Sequence, residues 1–504
     1  METRQIPNGI EHLRPMPVDV SQRLVARVRQ HVEAMLETMQ IEPGGRLPSE
    51  RTVALDLGVS RNTVTAAYGE LEQRGLIRRI RGKGAFKCSP LGSGESFSWS
   101  GKVSSRAHLL DEPVLEMLAR NNALGFPYPF SAGTPSLECF PTDVYHASID
   151  KVIGNSFPGA LAVAPTEGQK QLRHTIGKWM DVAPNRVMVT SGAQEAVDLL
   201  ARCLIEPGDF AIVESPTYPG ALQSFRAAGA RLVGWETDWS LSKLEQLLLR
   251  FNPKLIFTGT TFQNPTGKVM PLQTRLGLLD LAARYHIPII EDDVYGKTFL
   301  DGHPGPESLL KLDKHSSVIY VSTFSKMLAP GLRVGWVIAP LYMVKQLSLM
   351  KMRATLFTDG LNQLALSDFV ESGGFDKHLE KLRLHHASLR NAAVAAAQDA
   401  AEEGLLSFSA PTGGIFLWCK LDPRTDIDLL QEATDQKGLT FAPGHAFFPE
   451  QKDQKFLRLC YTAMPASHVK KGIEILVQAL RDTQPCEQGV SEGATARTFS
   501  HDAF

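Results

Sequence analysis

Residues 322–336 read STFSKMLAPGLRVGW. The segment continues a β-branched run that starts at Val318, so Lys326 stands just beyond the end of an expected strand. Small hydroxylic residues surround it, and Arg333 follows seven positions later. A lysine that is to form an imine must lose its proton near pH 7, which neighbouring positive charge or desolvation brings about. Taken alone, such a lysine is more often a solvated surface group. Outward from this segment, short β-branched runs alternate with longer helical patterns: VMVTS (187–191) before GAQEAVDLLARCLI, FAIVES (210–215) before a Pro-Gly loop, KLIFTGT (254–260), and LGLLDLAARYH before IPIIEDDV (287–294). That alternation predicts an α/β fold with a mostly parallel sheet flanked by helices. From about residue 345 the pattern is helical until FLWCKL and KFLRLCYTA, expected strands of a smaller C-terminal lobe.

The chain has 504 residues, enough for two or three domains. Hydrophobic residues make up 43% and charged residues 21%, which excludes a disordered or highly charged scaffold. No apolar stretch approaches the roughly 20 residues of a membrane-spanning helix, and METRQIPNGIEHLRP lacks the apolar core of a signal peptide. The six cysteines form no C-x-x-C pair, so neither a disulfide framework nor a metal site is indicated. A cytoplasmic location, with no membrane partner, is the expectation. Charge is unevenly spread: residues 1–90 hold 14 Lys and Arg against 10 Asp and Glu, and six basic residues without an acidic one run from Arg74 to Lys87. A basic head on a slightly acidic body suits nucleic-acid binding, although a charge run is also what a solvated face looks like.

In the head, residues 20–39 place Val20, Leu24, Val28, Val32, Met35 and Met39 at helical spacing. LPSERTVALDLG reads as a short helix with Ser49 as N-cap and Gly58 as stop, and Ser60 caps a third helix whose inner face is Val64, Ala67, Tyr68 and Leu71. LIRRIRGKGAFKC then reads as a two-stranded hairpin. The stretch LPSERTVALDLGVSRNTVTAAYGELEQRGLIRRIRGKG resembles the winged helix-turn-helix of the GntR regulators in its P-S-x-R, G-V-S-R-x-T-V and G-x-G elements. The resemblance implies double-stranded DNA as a partner. It assigns DNA contacts to Arg51, Arg61 and Thr63, with Ser60 at a helix N-terminus suited to a phosphate and Lys83 in the wing.

In the body, the segment around Lys326 that ends in R-x-G-W resembles the cofactor lysine segment of fold-type I aminotransferases, whose cofactor is pyridoxal 5'-phosphate. The resemblance makes Lys326 the catalytic residue and gives Thr323 and Arg333 roles at the phosphate. TSGAQEAVDLL sets Ser191, Gly192, Ala193 and Gln194 between a strand and a helix, where backbone N–H groups can hold a dianion. Tyr218 of ESPTYPG is implied to stack on the pyridine ring, and Asn264 of FQNPTGKVM to bond the ring hydroxyl. EDDVYG offers Tyr295 and a carboxylate for the ring nitrogen; the D-x-x-Y spacing favours Asp292, with Asp293 the alternative. Arg458 of FLRLCYT matches the arginine that pairs with a substrate α-carboxylate.

One position departs from that family's pattern. Relatives carry a tyrosine five residues before the glycine of G-x-x-x-L-R and donate it to the neighbouring subunit's phosphate; here Val163 precedes Gly168 at that spacing. Losing a hydrogen bond to a charged group costs about 1.5–3 kcal/mol. Taken whole, the chain resembles the MocR (GabR-like) subfamily of GntR regulators: a winged helix-turn-helix at 17–88, a Gly/Ser-rich linker at 89–105, an aminotransferase-like domain at 106–482 and a disordered tail at 483–504. The resemblance implies a homodimeric, pyridoxal phosphate-dependent transcription regulator that senses an amino acid or amine. A working aminotransferase of the aromatic or 2-aminoadipate type with an appended DNA-binding head is the alternative, because the site residues are complete for transamination.

Overall fold

The computed structural model describes residues 20–38, 45–80, 84–88, 125–450 and 455–484. The chain divides into two compact units, Met1–His108 and Leu109–Phe504. The stretch read as a linker, Lys83 of the expected wing and residues 485–504 of the expected tail lie outside the described residues.

The first unit contains helices α1 (Val20–Thr38), α2 (Glu50–Leu57) and α3 (Arg61–Gln73), then strands β1 (Ile77–Ile80) and β2 (Gly84–Lys87). Ser49 and Ser60 are both N-caps: their hydroxyls accept from Thr52 N and Thr63 N at 3.1 and 3.2 Å. Gly58 ends α2 at φ +62°, a left-handed conformation that costs glycine nothing. β1 and β2 pair antiparallel from Ile77–Lys87 to Ile80–Gly84. A small core joins Val28, Val32 and Leu36 to Val53, Val64, Ala67, Tyr68, Leu71, Ile77 and Ala85. The apolar row of α1 runs 28, 32, 36, so Leu36 rather than Met35 closes it; Met35 lies one residue off that row and is half-buried. Tyr68 gives its hydroxyl proton to Pro48 O at 2.8 Å, which fastens α3 to the segment leading into α2.

The second unit is built on a seven-stranded sheet ordered β4 (Val187–Thr190), β10 (Gly335–Ile338), β9 (Val318–Thr323), β8 (Ile289–Asp292), β7 (Leu255–Thr258), β5 (Phe210–Ser215) and β6 (Arg231–Glu236). Only β10 runs antiparallel to its neighbours. All residues of β4, β7, β9 and β10 are buried, as helix-covered strands require. Each fully buried Val, Leu or Ile contributes about 1.5–3 kcal/mol of transfer free energy, so these continuous runs fix the centre of the fold. A smaller antiparallel sheet, β11 (Leu406–Phe408), β12 (Phe416–Leu421), β15 (Phe456–Cys460) and β14 (Ala442–Pro443), forms the C-terminal lobe. Two-residue strands β3 (Tyr128–Pro129) and β13 (Leu439–Thr440) pair in parallel and tie the entering chain to that lobe. The loops leaving the carboxyl ends of β5, β7, β8 and β9 carry the candidate site, where open parallel sheets place their ligands.

Candidate active site and nucleic-acid interface

β4 ends in Ser191-Gly192, and the helix Ala193–Leu204 begins at once. Gly192 has φ +89°, and a Cβ there would lie 2.8 Å from Arg333 Nη2. The backbone therefore approaches the guanidinium as only glycine allows. Arg333 is itself left-handed, at φ +50°, and donates from Nη2 to Ser191 O at 2.8 Å. Ser191 N is taken by the Glu195 carboxylate at 2.5 Å, while the first N–H groups of the helix have no partner within it. The result is a glycine turn, a helix N-terminus and an arginine facing one point: a cradle for a doubly charged phosphate. Thr323, at the end of β9, is buried and uses its hydroxyl on Val334 O and Ser325 Oγ, at 2.9 and 3.0 Å. It braces the turn before Lys326.

Tyr218, Asn264, Asp292 and Tyr295 are grouped near the cradle: both tyrosines interact with Asp292 and Arg458, and Arg458 bonds Asn264. Tyr218 donates to Gln194 Oε1 at 2.9 Å, and Gln194 Nε2 in turn bonds Gly220 O and Ser224 Oγ, so the phenol is fixed from behind. Burial pushes that phenol up to about 12. Asp292 and Asp293, equivalent candidates by composition, have different surroundings. Asp293 Oδ2 accepts from Tyr320 at 3.0 Å, away from the lysine. Asp292 Oδ1 and Asp293 Oδ1 are both buried without a hydrogen-bond partner, but it is the Asp292 carboxyl that interacts with Lys326, Tyr218 and Tyr295. Burial, with Asp293 and Glu214 adding like charge, raises it to about 7. An orphaned carboxylate of this kind fits a protonated ring nitrogen.

Lys326 interacts with Asp292, Arg333 and Arg458 and hydrogen-bonds Gly133 O. Burial lowers it to about 8; Cys460 and Asp292 oppose the shift, while Arg458 and Arg333 add to it. Arg458, on β15, donates to Asn264 Oδ1 at 3.1 Å and to the carbonyls of Ser131 and Ala132 at 2.8 and 3.2 Å. Its guanidinium stacks 4.0 Å from the Phe416 ring centre. Its Nε has no partner. Lys326, Asp292, Tyr218, Asn264, Tyr295, Arg333 and Arg458 are thus brought together, with Gln194 and Ser191 bonded to Tyr218 and Arg333. Val163 is exposed and contributes nothing to it within this chain.

Sequence reading missed a buried hub behind the pocket. Glu214 accepts from Trp239 Nε1, Thr258 Oγ1, Gly259 N and Gln263 Nε2 at 2.6–3.0 Å, and Gln263 Nε2 also reaches Pro216 O at 2.7 Å. The hub joins the loop carrying Tyr218 to the loop carrying Asn264. Only the acid directly before S-P-T-Y could have hinted at it. Missed as well was the stretch Ser131–Gly133, whose backbone carbonyls no side-chain pattern can announce.

On the head, Arg51 and Arg61 are exposed near the starts of α2 and α3, and Thr63 is half-buried. Ser60 and Thr63 share a hydroxyl hydrogen bond at 2.8 Å. Arg61 Nε lies 3.5 Å from Glu50, which also accepts from Thr65. Exposed Arg46, beside Gly84 of the hairpin, adds a basic group that the motif reading passed over.

A winged helix-turn-helix precedes a fold-type I body in which a buried lysine interacts with Asp292, Arg333 and Arg458. The family described as "Aminotransferase class I and II" matches residues 129–476, and "Bacterial regulatory proteins, gntR family" matches residues 24–86. The chain belongs to the aminotransferase class I and II family and carries a gntR-family domain at its head. It is 33% identical over 366 residues to aromatic-amino-acid aminotransferase 1 of Thermococcus litoralis, covering 70% of this chain and 87% of that protein. It is 29% identical over 446 residues to the probable rhizopine catabolism regulatory protein MocR of Rhizobium meliloti, covering 86% and 89%. The solved α-aminoadipate aminotransferase LysN of Thermus thermophilus, complexed with N-(5'-phosphopyridoxyl)-L-leucine, superposes with a TM-score of 0.72 at 29% identity, covering 77% of this chain and 99% of that one.

Proposed function

We propose that this protein is a DNA-binding transcription regulator of MocR type whose body holds pyridoxal 5'-phosphate and senses an amino acid or amine. The observation that carries the reading is the grouping of Lys326, Asp292, Tyr218, Arg333 and Arg458 within interaction distance of one another, on a chain whose head presents Arg51 and Arg61 to solvent. The match to MocR, extending over most of both chains, supports it.

Ser191, Gly192, Ala193, Gln194 and Arg333 would hold the phosphate, Tyr218 and Asn264 the ring, and Asp292 a proton on the ring nitrogen. Bound there, pyridoxal phosphate supplies an aldehyde carbon reactive toward amines and a ring that draws electrons from it. Lys326, with its ammonium destabilised by burial and by two arginines, presents a neutral amine at a higher fraction than a surface lysine. Arg458 accepts an effector carboxylate as a bidentate partner. Whatever lobe arrangement that carboxylate favours is the state the effector populates, and the arrangement preferred by the head's DNA affinity shifts with it.

The test is DNA binding by the purified, pyridoxal phosphate-loaded protein across a panel of amino acids and amines, on promoters recovered by genome-wide binding of the tagged chain. One compound should change the visible spectrum and the DNA affinity together. Steady multiple-turnover transamination with DNA affinity indifferent to every amine would instead establish the second reading, a working aminotransferase. The complete pocket and the 33% identical aromatic aminotransferase favour that reading over any other alternative.

A further inference from the structure

Lys351, in the helix Leu341–Ala354, has no exposed surface. Its ammonium donates to Thr166 O at 3.0 Å, Val189 O at 2.7 Å and Thr358 Oγ1 at 2.8 Å, and among the described residues it forms no ion pair. Its hydrogen bonds go only to neutral oxygens; burial lowers it to about 8, and the carboxylates of Glu195 and Glu167 act against that shift. Val189 is the penultimate residue of β4, two positions before Ser191. Thr358 Oγ1, the third acceptor, lies 3.4 Å from Ser191 Oγ. This buried amine therefore sits directly behind the candidate phosphate cradle.

The cradle needs it. A phosphate dianion brings about two negative charges, while Arg333 supplies one positive charge and a helix N-terminus about half of one. Glu195 takes one away: its carboxylate accepts from Ser191 N at 2.5 Å and from Thr355 Oγ1 at 2.8 Å, at the rim of the same turn. The position from which relatives lend a tyrosine to this phosphate is Val163, which has no hydrogen-bonding group.

We propose that Lys351 is a positioning residue for the cofactor phosphate: it holds the β4 end and Thr358 in place and supplies the positive charge that offsets Glu195. The inference rests on the reading that the pocket binds pyridoxal phosphate. It predicts opposite signs for two substitutions and sensitivity only to ligands bearing a phosphate.

The experiment measures dissociation constants of the full-length chain for pyridoxal 5'-phosphate and for pyridoxal, which lacks the phosphate, by visible-band titration. Wild type, Lys351→Met, Thr358→Val and Glu195→Gln are compared. Lys351→Met should weaken pyridoxal 5'-phosphate binding by about tenfold or more and leave pyridoxal within about twofold. Glu195→Gln should tighten pyridoxal 5'-phosphate binding by severalfold, again without changing pyridoxal. Thr358→Val should fall between wild type and Lys351→Met. Equal losses for both ligands, or an unchanged ratio in Glu195→Gln, overturn the inference while leaving the cofactor reading intact. Wild type that binds neither ligand overturns both. Should Lys351→Met not fold, the ratio in Glu195→Gln and Thr358→Val decides.

Discussion

A primary amine attacks a carbonyl only when unprotonated, so the low value at Lys326 has a kinetic consequence. Its ordinary value near 10.5 leaves under one part in a thousand neutral at pH 7, whereas about 8 leaves roughly one part in ten. The rate at which pyridoxal 5'-phosphate develops its visible band should therefore rise with pH between about 6 and 8 and level off above, since the reactive form is gained as pH passes upward through the folded value. Stopped-flow absorbance checks this, and Lys326→Ala should show no band at any pH. At the head, Arg61→Ala should cost about 1–3 kcal/mol of specific binding and relax preference at one base position, as read by competition with base-substituted operators. Lys83→Ala should lower the slope of affinity against salt by about one phosphate contact.

Residues that act through side-chain chemistry at fixed spacing were legible beforehand: Lys326 with Arg333, Asn264 before its proline, and the two serine caps. Residues that act through distant backbone were not. Lys351 meets Val189 across 162 positions and Arg458 meets Ser131 across 327. No local pattern encodes such pairs, because only the fold brings them together. The difference between Asp292 and Asp293 belongs to the same class: a tyrosine on the neighbouring strand β9 engages Asp293 alone.

At the scale of the element, the turn from β4 into the helix Ala193–Leu204 stakes most on one residue. Gly192 combines φ +89° and ψ 170° with a side-chain direction that ends on Arg333. Gly192→Ala should cost on the order of 1–3 kcal/mol in backbone strain and push Arg333 off Ser191 O. The expected outcome is at least a tenfold loss of pyridoxal 5'-phosphate affinity with far-ultraviolet circular dichroism unchanged. In the head, Ser49→Ala removes the cap of α2 and should lower the stability of that unit by about 1 kcal/mol, measurable by denaturant unfolding. The strands were easier to foresee than the small lobe. Four strands of the large sheet are apolar on both faces, but β3, β13 and β14 are two residues long and exist only because a neighbour supplies the ladder.

For the whole molecule, ligand linkage makes the body's stability a readout of its cofactor. At a hundred times its dissociation constant, pyridoxal 5'-phosphate should stabilise the unit that binds it by about 2.7 kcal/mol. A thermal scan should move the transition of the residue 109–504 unit, and Lys326→Ala should shrink the shift. Light scattering should give a homodimer, matched to an operator of two half-sites. Arg458→Ala should abolish the spectral response to amino acids and leave that to simple amines.

The short stretch Ser131–Gly133 then has a meaning for sensitivity. Its three carbonyls hold Arg458 and Lys326, the two groups that the proposed amino-acid effector would engage. An incoming ligand thus competes with a tethered occupant always present at high local concentration. Its measured dissociation constant is the intrinsic one divided by the fraction of molecules in which the tether is open. Such a built-in competitor raises the half-saturating concentration of any ligand that must displace it by a constant factor, leaving the shape of the binding curve unchanged.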